Sequence, residues 1–493
     1  MDNNLRLSKN DSVLSLFEEY LSTLDDVESF VNHTRFIGFY LANDPCSKLY
    51  SPVIDEKIKQ FKNRLPLKHE HSPSGRTLHV ATQVYLTGGH TRVIENWINF
   101  FNHEKHDLVL IEQYRDFDLK LPKESQVIKL SDDFSISQKI SVLYDLYSKY
   151  DKVIFHIHQH DVIPLIAMGQ FSIKKFFFYN HADHTFSIGP SLVGEVYDMS
   201  EEGRLFSLNF RGVKSSKVIP FPLDINLSKM RFNSKEGARE ALGISTNSQT
   251  VLTVGNPYKF IPNERFNLFN VFERVAKHNP SYNFIFIGPD FAFKKYLNQD
   301  LPNIHFLGLV SKQTVLDYYQ ASDLYIDSLP VGGGLAMIEA VLSGLPIITF
   351  DNGFNAFDTA LKFRVNYEDL ENHITSILDD SNKRTDLQKR CFIEASRHQK
   401  EFWLDNFSKL SVAASNSEKL CSERLQKYFE MMITKYPQNK IPRTEFKISN
   451  TLIIKLAYYF PISYFIKLVA FQILFPITKP LLSFILDEKV GKK

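Results

Sequence analysis

Apolar residues recur at three- and four-residue spacing through the start of the chain. Leu14, Leu16, Phe17 and Leu21, then Val27, Phe30 and Val31, alternate with acidic positions, as amphipathic helices require. This pattern covers residues 1–74 and closes in a loop rich in His, Ser, Pro and Gly from His69 to Gly75, so a separate N-terminal helical segment is expected. From Arg76 the pattern changes to short apolar runs separated by helical stretches. Strands are expected at Leu78–Leu86, Leu108–Glu112, Gln126–Leu130, Lys152–Ile157, Lys175–Tyr179 and Lys217–Pro220; the stripe Ile94, Trp97, Ile98, Phe101 marks one helix between them. A linker is expected at Pro220–Ser234. Beyond it come strands at Thr250–Val254, Asn283–Ile287, Ile304–Leu307, Leu324–Asp327 and Pro346–Phe350, with helices at Phe266–His278, Lys312–Gln320 and Leu335–Ser343. Strands alternating with helices make a parallel sheet covered on both faces. The expected fold class is α/β, with two doubly wound Rossmann-like lobes at 75–225 and 226–385. A ligand would lie between the carboxyl edges of their facing sheets.

Residues 386–447 read as charged helices. The tail at 448–493 differs: between Thr451 and Leu486 the only charges are Lys455, Lys467 and Lys479, and Pro461, Pro476 and Pro480 interrupt it. Its longest uncharged runs are 11 residues, short of the ~20 needed to cross a bilayer. Cationic, aromatic and apolar, the tail fits amphipathic helices lying in a membrane interface with lysines reaching to phosphates. The competing reading is a buried helix packed on the second lobe or on a partner subunit.

Composition narrows the class. The 493 residues carry 58 basic and 56 acidic side chains, a balance that argues against a nucleic-acid partner. Three distant cysteines, Cys46, Cys391 and Cys421, make neither a disulfide framework nor a cysteine zinc site and fit a reducing cytoplasm. The N-terminus is polar and has no apolar core of a signal peptide. Abundant Phe, Tyr, Lys and Asn match the drift of an AT-rich bacterial genome.

The strongest local motif runs Tyr325-Ile-Asp-Ser-Leu-Pro-Val-Gly-Gly-Gly-Leu-Ala-Met-Ile-Glu-Ala340. A strand ends at Asp327, the chain turns through Pro330, and Gly332, Gly333 and Gly334 let the backbone approach a ligand as a helix starts at Leu335. Free N–H groups there, with the positive end of the helix dipole, suit a phosphate. Glu339, the one charge in that helix, is placed to accept from a ribose diol. The glycines are contiguous and no Gly-Lys-Ser/Thr follows, so this is neither a dinucleotide fingerprint nor a Walker loop.

This second half resembles the nucleotide-binding lobe of the GT-B glycosyltransferases, glycosyltransferase group 1. Thr253-Val-Gly-Asn-Pro-Tyr-Lys259 is similar to the family's first strand and loop there. The resemblance implies that Asn256 and Lys259 serve the donor diphosphate and that Glu339 holds the ribose. Val84-Tyr-Leu-Thr-Gly-Gly-His-Thr-Arg-Val93 supplies the facing turn, with Gly88 and Gly89 near diphosphate and sugar and Arg92 as a further cation. Retaining members usually carry a second glutamate where this chain has Val331. The motif looks closer to the O-GlcNAc-transferase-like branch, which inverts.

Inversion calls for a base on the acceptor hydroxyl. Tyr179-Asn-His-Ala-Asp-His-Thr185 follows a strand, offering His181 or His184 as the base and Asp183 to orient the imidazole. His158, His160 and Asp161 are expected on the acceptor side, with Asp161 capping a helix Val162–Gly169. No Asp-x-Asp stands where a nucleotide-sugar metal would need it, so no metal or other cofactor is expected.

The expected activity is transfer of an N-acetylhexosaminyl or hexosyl group from a UDP-linked donor. The acceptor would be a glycan, lipid-linked or protein molecule in bacterial surface polysaccharide synthesis, with the enzyme peripheral at the inner face of the cell membrane. The segment 1–74 would cap the acceptor side or make a homo-oligomer contact. A nucleotide-sugar epimerase of the same fold and a non-catalytic glycan or membrane scaffold are the alternatives.

Overall fold

The computed structural model describes residues 3–67, 74–85, 89–101, 104–113, 118–183, 185–223, 231–232, 234–332, 334–350 and 362–408. The tail at 448–493, most of the linker and the end of the charged helical region lie outside them.

The first residues form three helices, α1 (Asn3–Ser22), α2 (Val27–Asn43) and α3 (Pro52–Asn63). Each later start is capped: Asp26 accepts from the Ser29 N–H at 2.7 Å, and Ser51 accepts from the Ile54 N–H at 3.1 Å just ahead of Pro52. Their apolar stripes enter one core with Leu78, Val80, Val109, Val153 and Phe155 of the first sheet. The helices are therefore built into the first lobe, covering one face of its sheet.

That lobe runs β1 (Arg76–Ala81), α4 (Gly89–Phe100), β2 (Lys105–Leu110), β3 (Val127–Lys129), α5 (Ile136–Tyr147), β4 (Lys152–His156), α6 (Ile163–Ile166), β5 (Phe176–Asn180), β6 (Glu195–Asp198), α7 (Glu201–Phe210) and β7 (Ser216–Val218). Its seven strands are ordered β3-β2-β1-β4-β5-β6-β7, all parallel. Strand alternation sends Leu78 and Val80 toward α1–α3, and sends Thr77, His79 and Ala81 to the opposite face. There Trp97 of α4 is fully buried.

The second lobe runs α8 (Lys235–Leu242), β8 (Gln249–Val254), α9 (Leu268–His278), β9 (Tyr282–Ile287), β10 (Ile304–Phe306), α10 (Lys312–Ala321), β11 (Leu324–Ile326), α11 (Leu335–Leu342), β12 (Ile347–Phe350) and β13 (Arg364–Val365). Its six parallel strands are ordered β10-β9-β8-β11-β12-β13, so both lobes share the doubly wound plan. Strands β6 and β13 have no counterpart among the expected elements.

After helices Leu370–Asp379 and Ser381–Ala395 the chain returns to the first lobe through the helix Lys400–Ser408. Trp403 stacks its edge on Trp97, with ring centroids 5.2 Å apart. Its Nε1–H donates to the Pro220 carbonyl at 2.5 Å. His398 Nδ1 lies 2.8 Å from the Phe221 carbonyl, and the Leu223 N–H donates to the His398 carbonyl at 2.8 Å. The outgoing and returning crossings between lobes are thus bonded side by side.

Candidate active site

The carboxyl ends of β8, β9 and β11 carry the second-lobe part of the site. The Gly255 N–H donates to the Ile287 carbonyl at 3.0 Å, and Gly288 has φ +112. A β-carbon on Gly288 would lie 1.7 Å from the Gly255 carbonyl oxygen, so the backbones can meet only without one. The chain then enters the short turn Pro257–Phe260, with Asn256 exposed at its start. This turn is tied to the glycine loop by a Val331 N–H bond to the Lys259 carbonyl at 3.2 Å.

The N-cap of α11 is Gly334 (φ +111), and among the described residues no side chain caps the helix. Its first-turn N–H groups are therefore left to a ligand or to water. The Lys259 Nζ stands 3.2 Å from where a Gly334 β-carbon would be. Burial pulls the Lys259 ammonium below its ordinary range, and the Asp327 carboxylate partly opposes this. Pro330 and Gly332 are buried in the turn, while Leu335 is half-buried.

The first lobe meets this turn directly. A β-carbon on Gly89 would stand 3.4 Å from the Leu335 Cδ1 and 3.3 Å from the Phe221 ring. One helical turn on, Arg92 pairs with Glu339 across the crevice through Nη2 and Oε1. Two residues expected on different parts of a donor, phosphate and ribose, are thus brought together and hold one another. Lys312 of α10 lies near the pair: burial lowers its ammonium, Arg92 lowers it further and Glu339 opposes. Lys312 was not anticipated from the sequence, where it reads only as the first residue of an amphipathic helix.

On the acceptor side, His181 follows β5 and is half-buried. Its Nε2 lies 3.0 Å from His156 Nδ1, and its ring centroid is 4.3 Å from that of His90. Burial holds the His181 imidazole well below its ordinary pKa, reinforced by His90 and His158. His90 is held to about 4 by burial, against the bond from its Nε2 to the His156 carbonyl at 2.7 Å.

Three expected roles need correction. Asp183 does not orient His181; its carboxylate is buried at the start of α7, 3.2 Å from Ser200 Oγ and against Gly203. The partner of His181 is His156. Asp161 is fully buried, accepting from Thr82 Oγ1 at 2.8 Å and from the Ile163 N–H at 3.2 Å, so it is held in the turn before α6, whose N-cap is Val162, and does not line the acceptor side. That helix ends at Ile166, short of the expected Gly169. His160 is also buried, against Phe39. The strand ends at His156; in the loop beyond it His158 lies 2.7 Å from the Tyr85 hydroxyl. Gly88, Gly333 and His184 lie outside the described residues.

Residues 234–391, the second lobe, match the model of the family Glycosyl transferases group 1. No curated protein sequence matches the chain. Among solved structures, a glycosyltransferase from Rickettsia africae ESF-5 is 16% identical with a TM-score of 0.51, covering 73% of this chain and 99% of that one. Sucrose-phosphate synthase from Thermosynechococcus elongatus is 14% identical, TM-score 0.49, covering 72% and 99%. The N-terminal domain of Candida albicans trehalose-6-phosphate phosphatase is 15% identical, TM-score 0.49, covering 70% and 98%. The Rickettsia likeness is one of fold, the GT-B arrangement of two parallel-sheet lobes. The family match supports glycosyl transfer as the activity.

Proposed function

We propose that the chain is an inverting, metal-independent glycosyltransferase that moves a hexosyl or N-acetylhexosaminyl group from a UDP-linked donor. The observation that carries this reading is the meeting of the Gly89 turn with the start of α11, beside Lys259 and the Arg92–Glu339 pair. Main-chain N–H groups of α11 bind the diphosphate, and Lys259 and Arg92 balance its charge, which leaves a metal ion no necessary role. Donor binding exchanges the Arg92–Glu339 contact for Arg92 to phosphate and Glu339 to the ribose diol. His181 takes the proton of the acceptor hydroxyl as that oxygen attacks the anomeric carbon and the nucleoside diphosphate leaves. Val331 in place of a second carboxylate favours direct displacement with inversion.

The acceptor is a glycan, lipid-linked or protein molecule at the cytoplasmic membrane face of a bacterium, approached through the cationic tail at 448–493. Among the described residues no helix is long and apolar enough to cross a membrane. The test is a thermal-shift screen of nucleotides and nucleotide sugars, since ligands of the folded state raise its melting point. It is followed by anomeric analysis of the product in the presence of chelator. UDP sugars should stabilise the protein, and His181→Ala should abolish transfer with donor affinity nearly intact. A retained anomeric configuration, or activity that chelator removes and magnesium restores, refutes the mechanism.

A further inference from the structure

Four imidazoles, on three neighbouring strands and just past the end of a fourth, form an unbroken row beneath the crevice. His106 Nδ1 lies 2.8 Å from His79 Nε2, His79 Nδ1 lies 2.9 Å from His156 Nε2, and His156 Nδ1 lies 3.0 Å from His181 Nε2. The register explains the geometry. His106 pairs with Thr77, two residues before His79, and His156 pairs with Ala81, two residues after it. Steps of two keep every ring on one face of the sheet and move each one toward the carboxyl edge. The row therefore climbs diagonally from the amino side of β2 to the crevice at the end of β5.

The far end meets a carboxylate. Glu104 Oε2 lies 3.3 Å from His106 Nε2, and the Glu104 side chain is 39% exposed, in touch with solvent. The middle of the row is sealed: His79 and His156 are fully buried, with Trp97 edge-on to both. At the crevice end, His181 Nδ1 makes no hydrogen bond to a described residue, and it is not among the buried unpartnered atoms. That atom keeps contact with solvent, at the carboxyl end of β5.

This connectivity, with a carboxylate at one end, favours one arrangement of the protons. His106 Nε2 makes no hydrogen bond of good geometry, but the Glu104 carboxylate 3.3 Å away favours N–H over a lone pair at that atom. His106 Nδ1 must then accept, from Nε2–H of His79. The same logic passes to His156 and to His181, each an Nε2–H tautomer. The last ring is left with a bare lone pair on Nδ1, the form a general base needs.

We propose that His181, His156, His79 and His106, ending on Glu104, form a proton relay that sets His181 as the base and carries the acceptor's proton out of the crevice. The step balances. The acceptor O–H proton bonds to His181 Nδ1 as its oxygen forms the new glycosidic bond. The Nε2–H proton of His181 passes to His156 Nδ1, that of His156 to His79 Nδ1, and that of His79 to His106 Nδ1. The Nε2–H proton of His106 passes to Glu104, which releases it to water. All four rings begin and end neutral. That matters because burial, aided by the neighbouring rings, disfavours an imidazolium at His79, His156 and His181 alike. The reverse shift, after product leaves and water enters, restores the starting tautomers. His181 is the catalytic residue; the other rings and Glu104 act through it.

The relay rests on the glycosyltransferase reading for its purpose, but not for its tautomers, and the test separates the two. In unliganded protein labelled with 15N-histidine at pH 7.5, each of the four rings should show a protonated Nε2 and a pyridine-type Nδ1. A protonated Nδ1 on His181 overturns the proposal whatever the enzyme's activity. For function, His79→Gln is the informative variant. Its amide donates to His106 Nδ1 and accepts from His156 Nε2–H, preserving bond directions while interrupting proton flow. It should lower kcat by about 100-fold, the scale of general-base catalysis, with KM for donor and acceptor and the melting temperature near wild type. The exposed Glu104→Gln should act in the same direction. In mixtures of H2O and D2O the wild-type rate should show several protons in flight and His79→Gln should not. Wild-type turnover in both variants overturns the relay, whereas absence of transfer by the wild-type protein overturns the activity and leaves the tautomers to be judged by the 15N spectrum.

Discussion

The buried imidazole row makes stability depend on pH in a defined window. His79, His156 and His181 are held neutral, well below their ordinary pKa, mainly by burial. In the unfolded chain each titrates at about 6.5. Below that value the unfolded state binds protons that the folded state refuses, so stability falls with pH; above about 7.5 the three rings cost nothing. At pH 5.5 a ring that stays neutral in the fold costs on the order of 1 kcal/mol, and the three together a few kcal/mol. That is a large part of the 5–15 kcal/mol typical of a folded domain. Asp55 and Asp198 act in the opposite sense: burial pushes their carboxyls up to about 6, so each takes up a proton in the fold and regains some stability over the same interval. Comparing wild type with His79→Gln cancels those contributions. Urea midpoints at pH 7.5, 6.5 and 5.5 should show wild type losing on the order of 1 kcal/mol more than the variant between the extremes. Equal losses in the two proteins would show that His79 is charged in the folded state, refuting the neutral row.

Three further outcomes follow from the site. In a double-mutant cycle, Arg92→Gln and Glu339→Gln should couple by about 1–2 kcal/mol, between the values for exposed and buried ion pairs, because the side chains are 27% and 9% exposed; additivity in urea unfolding would show the pair to be inert. Lys259→Met keeps the stem and removes the charge, so calorimetry should find UDP binding weakened about tenfold or more, roughly 1.4 kcal/mol. Stability should not fall, since burial already disfavours that ammonium. Gly288→Ala forces a β-carbon to 1.7 Å from the Gly255 oxygen at φ +112, and should cost roughly 3 kcal/mol or more; an unchanged melting temperature would contradict the close approach.

The alternation of strands and helices was legible because each buried strand is a short apolar run. Phe284-Ile-Phe-Ile287 and Ile347-Ile-Thr-Phe350 look the same in sequence and in the sheets. Strand β6, Glu195-Val-Tyr-Asp198, was not: its ends are charged, and its Asp198 is satisfied by Asn180, Ser207 and Ser216 from neighbouring elements. The glycine turns declared themselves by composition. The pairing of Arg92 with Glu339, 247 positions apart, did not, because nothing local ties a cation on one lobe to an anion on the other. The imidazole row was hidden for a similar reason. His79 sits alone in an apolar strand and His106 among charged residues at a strand start, and only the strand order β2-β1-β4-β5 makes them adjacent. Asp183 was misread because proximity in sequence to His181 suggested proximity in space. A turn after β5 sends its carboxylate to α7 instead.

The two crossings of the chain between lobes, bonded to each other through Pro220, Phe221, Leu223, His398 and Trp403, behave as a door hung on paired straps. Two tethers lying together permit rotation about the line they define and resist sliding or twisting. The cleft can then open for an incoming donor and shut along the same arc each time. Reproducible alignment of groups from both halves is thus compatible with a mouth that moves.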